Sequence, residues 1–306
     1  MNTQPLYIKR VEIYGLWGSR NISWELTSDV NVLSGINGSG KSTTLECLYT
    51  LYKGTIASDH VSRHIKGMKV VANTGLALVY RDGMIYKVSE AIEQAMLPAD
   101  FTLLHSHLGM DMISSFDRPL IGAEDIRRLS DNRVATDLDW KIYKLQKAYL
   151  DYQVNLGKEA FSIFSDHSSA ADKSEKVSAL MQKKEIFLDM LDKLFEQTGK
   201  KVDRTKNEIA FLSGEEEILP HQLSAGEKQI LAILLTVLIQ NNKHCILLLD
   251  EPEISLHFEW QRQLIDLIRQ LNNNAQIILA THSPAVIMDG WSDKVTEVFD
   301  VTTLMP

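Results

Sequence analysis

The stretch Ser34-Gly35-Ile36-Asn37-Gly38-Ser39-Gly40-Lys41-Ser42-Thr43 carries residue types at a spacing that binds phosphate. It fits the pattern G-x-x-x-x-G-K-[ST], with Gly35 and Gly40 as the glycines, Lys41 as the lysine and Ser42 as the hydroxyl. Glycines let the backbone curl until successive N–H groups face an anion, and a following helix adds the positive end of its dipole. The candidate nucleotide-binding set is therefore Asn37, Gly38, Ser39, Gly40, Lys41, Ser42 and Thr43. In this chemistry Lys41 reaches the β- and γ-phosphates and the Ser42 hydroxyl sits on Mg²⁺. Val30, Val32 and Leu33 supply a strand before the loop, and Thr44 to Tyr49 a helix after it.

Three later stretches extend the set. Leu223-Ser224-Ala225-Gly226-Glu227-Lys228-Gln229 opens the apolar run Ile230–Ile239. Ser224 is a good helix N-cap and Glu227, three residues on, completes a capping box. A Ser-x-Gly turn at a helix N-terminus is also an anion site. A chain that already holds a phosphate loop needs no second one in the same pocket, so Ser224, Ala225, Gly226 and Glu227 are expected to address the nucleotide of another copy. Cys245-Ile246-Leu247-Leu248-Leu249-Asp250-Glu251-Pro252 reads as a strand buried on both faces that ends in two carboxylates, where open α/β sheets bind ligands. Asp250 is the candidate Mg²⁺ partner of Ser42, and Glu251 the candidate acceptor of a proton from the attacking water. Gln276 to Pro284 is another buried strand with His282 just past its end, the second candidate catalytic residue, placed to polarise the water.

Together, the phosphate loop, the Leu-Ser-x-Gly-Glu signature, the apolar-Asp-Glu-Pro run and Thr-His-Ser-Pro resemble the ATP-binding-cassette (ABC) ATPase fold. Within it they resemble the SMC/RecF-like branch and the small bacterial AAA-type ATPases related to the overcoming-lysogenisation-defect proteins. Asp250-Glu251-Pro252-Glu253-Ile254-Ser255-Leu256-His257, followed by Trp260-Gln261, is the part most like that last group. The resemblance implies an α/β ABC-ATPase head with an N-terminal antiparallel sheet, a mostly parallel core sheet flanked by helices, and an inserted helical lobe. The resemblance covers the first 55 residues and everything from about Leu219 onward; with the helical periodicity between them, the expected division is residues 1–120 with the phosphate loop, a helical lobe over 121–213, and residues 214–306 with the signature, the two carboxylates and the histidine. The resemblance also implies a head-to-tail dimer whose Ser224/Gly226 turn caps the γ-phosphate bound at Lys41 of the other copy, with Ser255, Leu256 and His257 crossing the interface. Arg20 resembles the family's early basic residue near the nucleotide. The family's glutamine between phosphate loop and signature has no clear counterpart; Gln94, His107 and Asp117 are alternatives.

The elements that position these groups follow from periodicity. Leu6 to Tyr14 alternates as a strand with a phase slip at Lys9-Arg10, and Thr74–Tyr80 with Met84–Val88 reads as a hairpin around Arg81-Asp82-Gly83. Ser89–Met96 reads as a short helix stopped by Pro98, and Phe101–His105 as a strand. Leu138, Ile142, Leu145, Tyr149, Tyr152 and Leu156 fall at heptad spacing, and Val177, Leu180, Phe187, Leu191 and Leu194 repeat the pattern with Lys184 in phase. An antiparallel helix pair is expected there, joined by a Ser/Asp/Lys-rich loop over Ser162–Lys176, as a docking arm or an ordinary lobe. The basic run Lys200–Lys206 is either a nucleic-acid contact or a solvated loop beside Glu215-Glu216-Glu217.

Composition bounds the function. Asp and Glu number 40 against 32 Lys and Arg, a net charge of −8, which argues against a wholly basic nucleic-acid binder. The two cysteines, Cys47 and Cys245, lack metal-ligand spacing and read as core residues of a reducing compartment. The N-terminus is not a signal peptide, and no apolar stretch is long enough to span a membrane, so a cytoplasmic chain is expected. Because 24 residues follow His282, the nuclease domain of longer relatives is not expected here, and an effector is expected in trans. Three roles compete: a sensor ATPase controlling an effector in trans (a nuclease or toxin, as in anti-phage defence), a DNA repair or tethering ATPase, and a transporter motor.

Overall fold

The computed structural model describes residues 5–57, 59–89, 92–114, 136–165 and 169–305. In chain order the first elements are β1 (Ile8–Leu16), β2 (Arg20–Glu25), β3 (Val30–Ser34), α1 (Lys41–Lys53), β4 (Gly67–Ala72), β5 (Ala77–Arg81), β6 (Met84–Ser89), β7 (Ile92–Ala95), α2 (Pro98–His107) and β8 (Gly109–Ser114). Then come α3 (Asp137–Ser165), α4 (Ala170–Phe195), β9 (Lys201–Val202), β10 (Phe211–Ser213), β11 (Glu216–Ile218) and α5 (Ala225–Ile239). The rest are β12 (Cys245–Asp250), α6 (Phe258–Leu271), β13 (Ala275–Ala280), α7 (Pro284–Ile287), β14 (Val295–Glu297) and β15 (Thr302–Leu304). They fall into two units: Met1–Ser114 with Lys243–Glu253 and Asn274–Pro306, and Ser115–Asn242 with Ile254–Asn273.

The first unit holds two sheets. Strands β15-β2-β1-β4-β5-β6-β7 form a seven-stranded antiparallel sheet, and β14-β3-β13-β12-β8 a five-stranded parallel one. Alternation along β1 buries Val11 and Ile13, and its pairing with β4 shifts register between Ile8 and Arg10, where the sequence pattern slips phase. Arg81 pairs with Met84 across a two-residue turn whose Asp82 and Gly83 both have positive φ, the geometry that matches strand twist. β12 and β13 are buried throughout, as continuous apolar runs in a parallel sheet require. The two sheets and α1 share one core that includes Val11, Ile13, Trp24, Leu45, Leu48 and Ile278. Buried Gln276 on β13 ties the sheets: it donates to the Ile8 and Thr27 carbonyls, both at 2.8 Å, and accepts from the Ile8 amide at 2.9 Å. Cys47 and Cys245 are both buried thiols.

Two local expectations are corrected here. Residues 92–95 form strand β7 rather than a helix, and Phe101–His105 lies inside helix α2 rather than in a strand. Pro98 starts this helix: its missing N–H costs nothing in a first turn, and the Asp100 side chain accepts from the Leu97 amide at 2.8 Å.

In the second unit the heptad residues do pack. Leu138, Ile142, Tyr149, Tyr152 and Leu156 of α3 are buried, as are Phe187, Leu191 and Leu194 of α4. Tyr149 meets Phe187, and Lys184, in core phase, donates to Gln153 at 2.9 Å, so the two helices run antiparallel. The connection is shorter than expected: α3 continues to Ser165 and α4 begins at Ala170, where Ser169 caps it. Helix α5 is buried almost all round. The amphipathic α6 sets Leu264, Ile265, Ile268 and Leu271 inward. The basic run is engaged internally. Arg204 pairs with Glu185, Asp189 and Asp192, Lys206 with Glu217, and Lys200 with Glu227. Among the described residues no helix is long and apolar enough to cross a membrane.

Candidate active site

The phosphate loop leaves β3, a strand flanked on both sides by parallel neighbours, and enters α1 at Gly40. Gly40 has φ 110°, and a Cβ there would meet Leu16 at 3.1 Å and the Trp17 ring at 3.3 Å, so only glycine fits. Lys41 is buried, and its Nζ donates to the Gly35 carbonyl at 2.8 Å and the Ile36 carbonyl at 3.3 Å. Asn37 and Gly38 are exposed along the loop, Thr43 is half-buried, and Ser39 Oγ is buried without a hydrogen-bond partner.

Asp250 and Glu251 stand at the carboxyl end of β12, both buried. Glu251 takes φ 45°, a left-handed conformation that a non-glycine residue adopts at a cost of about 1 kcal/mol or more. Its amide donates to the Ala280 carbonyl at 2.8 Å, which ties the end of β12 to the end of β13. The Glu251 carboxylate lies 3.7 Å from Lys41 Nζ and 3.3 Å from His282 Nδ1. Lys41, Glu251 and His282, separated by up to 241 residues in sequence, thus meet around one carboxylate. Burial pushes the Asp250 carboxyl up to about 6; the hydrogen bond from Ser42 opposes this, and the charges of Glu251, Glu46 and Glu253 add to it. A buried carboxylate crowded by three others and bonded to a serine hydroxyl is a hard-oxygen donor set, and a divalent cation would offset its charge. Ser42 and Asp250 therefore fit Mg²⁺.

The signature turn is built within the second unit. Ser224 caps α5 by accepting from the Glu227 amide, and Glu227 returns by accepting from the Ser224 amide at 2.9 Å. Burial raises the Glu227 carboxyl, but Lys200 at 2.8 Å, the Ser224 amide and Thr198 outweigh it and hold it below the usual range. Ala225 is the first residue of the helix. At Gly226 an added Cβ would lie 2.2 Å from the Ser255 carbonyl oxygen, and Ser255 itself has φ 72°. Because the obstacle is backbone, Gly226→Ala is expected to displace the Ser255 peptide, cost about 1–3 kcal/mol and lower the melting midpoint by roughly 2–6 °C. Differential scanning fluorimetry reads this; an unchanged midpoint would show that the turn is not locked.

Of the remaining candidates, Arg20 lies over the Trp17 ring, 5.6 Å from its centroid, and so one ring away from Gly40. Gln94 sits exposed on the edge strand β7; Asp117 and the His107 side chain lie outside the described residues. Sequence reasoning missed Trp17. It has φ 50°, is half-exposed, and its amide donates to the His64 carbonyl at 2.7 Å. A tryptophan in a turn one residue before a glycine was the available signal. It missed Glu253 as well, whose signal was a third acidic residue, buried, just beyond the end of a buried strand.

The family model described as an AAA domain, putative AbiEii toxin, Type IV TA system matches residues 117–289. The chain belongs to this family. Septu protein PtuA of Bacillus thuringiensis is 22% identical over 318 residues, covering 92% of this chain and 73% of PtuA. The thiamine import ATP-binding protein ThiQ of Chelativorans sp. (strain BNC1) is 30% identical over 183 residues, covering 57% of this chain and 61% of ThiQ. The chain therefore spans less than two thirds of ThiQ. The SMC head solved in complex with the C-winged helix domain of ScpA superposes with a TM-score of 0.56 at 16% identity, covering 98% of this chain and 97% of that one. The antiparallel sheet, the parallel sheet and the helices of this chain share the fold of that SMC head.

Proposed function

We propose that this protein binds ATP with Mg²⁺ at its phosphate loop, hydrolyses it, and uses the cycle to control a partner effector protein, in the manner of a bacterial anti-phage sensor. The observation that carries the reading is the meeting of Lys41, Glu251 and His282 beside Asp250 and Ser42. Lys41, already turned into the loop by two carbonyls, supplies a fixed positive charge for the phosphates. Asn37 to Thr43 and the N-terminus of α1 add amide donors, and the half-exposed Trp17 ring beside Gly40, with Arg20 over it, offers a flat wall for the base. Bound at Ser42 and Asp250, Mg²⁺ would neutralise charge on the phosphates. Glu251 accepts a proton from the attacking water, and His282, half-exposed beside it, polarises that water.

The Ser224–Glu227 turn supports the dimer part of the reading. Its Ser224 side chain caps helix α5, and the Glu227 carboxylate is already satisfied by Lys200 and Thr198, which leaves the positive end of the helix dipole suited to a second copy's γ-phosphate. The effector would come in trans, as a nuclease or toxin. The internal pairing of Lys200, Arg204 and Lys206 speaks against the basic run as a nucleic-acid contact.

Lys41→Ala tests the core of the proposal. It is expected to weaken ATP binding by about 10-fold or more, since a charge-assisted contact to phosphate is worth roughly 1.5–3 kcal/mol. Isothermal titration with ATP and Mg²⁺ reads this; unchanged affinity would remove the phosphate-loop assignment.

A further inference from the structure

Glu253 is a buried carboxylate that the proposed chemistry leaves without a task. It follows Pro252 beyond the end of β12, and its Oε1 faces the turn that follows β13. The Thr281 hydroxyl donates to that oxygen, and the His282 amide donates to it at 3.3 Å. Thr281 Oγ1 in turn accepts from the Ser283 amide at 2.9 Å. One carboxylate oxygen and one hydroxyl thus engage three consecutive residues, Thr281, His282 and Ser283. The same oxygen lies 3.9 Å from His282 Nδ1, while Glu251 Oε1 lies 3.3 Å from that nitrogen.

We infer that Glu253 is a positioning residue: it clamps the Thr281-His282-Ser283 turn so that the imidazole Nδ1 faces Glu251. Several features carry the inference. Burying a carboxylate is costly unless donors surround it, so its place here calls for the contacts it makes. A histidine whose ring is nearly half-exposed has little packing of its own to fix χ1 and χ2, and the backbone that bears it must be held from elsewhere. Only the Nδ1 edge meets carboxylates in these contacts, which selects the tautomer with its proton on Nδ1 and leaves Nε2 as the outward nitrogen. The clamp also lies apart from the phosphate contacts, so it acts on the orientation of the histidine rather than on ATP affinity.

This inference rests on the ATPase reading above, and its test separates the two. In the full-length chain, Glu253→Ala and Thr281→Val should each lower kcat by about 10-fold or more while the Kd for ATP with Mg²⁺ stays within about threefold, because misplacing a polarising group acts on the transition state. Glu253→Gln, which keeps an acceptor oxygen, should recover most of kcat. The double variant Glu253→Ala/Thr281→Val should be no slower than either single one, since both break one unit. Imidazole ¹⁵N shifts of His282 supply a readout that needs no turnover: Nδ1–H is expected in the wild type, and a mixture of tautomers in Thr281→Val. Normal kcat in Glu253→Ala and Thr281→Val, or loss of ATP affinity in step with kcat without rescue by glutamine, would overturn the positioning role. So would an unchanged tautomer in Thr281→Val. Wild-type protein that turns over no ATP yet shows the tautomer change would instead overturn the ATPase reading and leave the clamp standing.

Discussion

Glu251→Gln is expected to slow ATP turnover by about 10²–10³-fold, the contribution typical of a positioned general base. Glutamine keeps the shape and the hydrogen-bonding capacity of the side chain but cannot take a proton from water. The sign of the effect on binding is equally specific. Glu251 lies 3.7 Å from Lys41 Nζ, so under the proposed function its carboxylate competes with the phosphates for the charge of that lysine. Removing that charge leaves Lys41 to the nucleotide, and ATP affinity should hold or tighten. A variant that binds and does not hydrolyse accumulates its ATP-bound form, and by the proposed function that form is a dimer. Phosphate release, titration calorimetry and light scattering after size exclusion, each with ATP and Mg²⁺, read the three quantities. Wild-type turnover would remove Glu251 as the base, and a monomer under saturating ATP would remove the head-to-tail assembly. The same trapped variant, purified from its native host, is the means of finding the effector: a stoichiometric nuclease or toxin supports the sensor role, and bound DNA or a membrane protein would replace it.

Local patterns were legible and long-range ones were not. The phosphate loop, the two buried strands and the Ser224–Glu227 capping box each declare themselves within about ten residues, because backbone curvature, burial on both faces and helix capping are local requirements. The phase slip in β1 was readable for the same reason. Pro98 shows the limit of a local rule: proline both ends and begins helices, and only the Asp100 cap decides between them. The polar stretch around Ser162 and Lys176 looked like a loop because an exposed helix end has no apolar face to reveal it. Lys184, one apparent flaw in the heptads, is resolved by Gln153 on the facing helix. Glu253 and Thr281 are 28 residues apart and meet only because β12 and β13 are parallel neighbours in register from Cys245 and Ala275 to Asp250 and Ala280. Likewise the partners of Arg204, which are Glu185, Asp189 and Asp192 on α4, lie 12 to 19 residues away in sequence and are not legible from the basic run itself.

Asp250→Asn should abolish Mg²⁺-dependent turnover, by about 10²-fold or more, and at the same time yield a chain that melts at a higher temperature without Mg²⁺. Burial raises the Asp250 carboxyl to about 6 from an ordinary 3.8, against the Ser42 hydrogen bond and with help from Glu251, Glu46 and Glu253. A carboxyl raised in the folded state favours the protonated form there. Its contribution to stability is therefore complete below the unfolded value near 4 and is lost as the pH rises through about 6. At neutral pH the charged side chain costs on the order of 1–3 kcal/mol, which asparagine avoids while keeping an oxygen for Ser42. The expected result is a midpoint several degrees above wild type at pH 7.5, with the gap narrowing as the pH falls from 6 towards 4. Adding Mg²⁺ with ATP should reverse the order, because only the wild type gains binding energy from the cation at this position. Thermal melts of both proteins at three pH values, with and without Mg²⁺ and ATP, decide it. A lower midpoint for Asp250→Asn at pH 7.5 would mean that the carboxylate holds the fold together rather than waiting for a cation. A gap that does not change with pH would place the crowding of charge elsewhere.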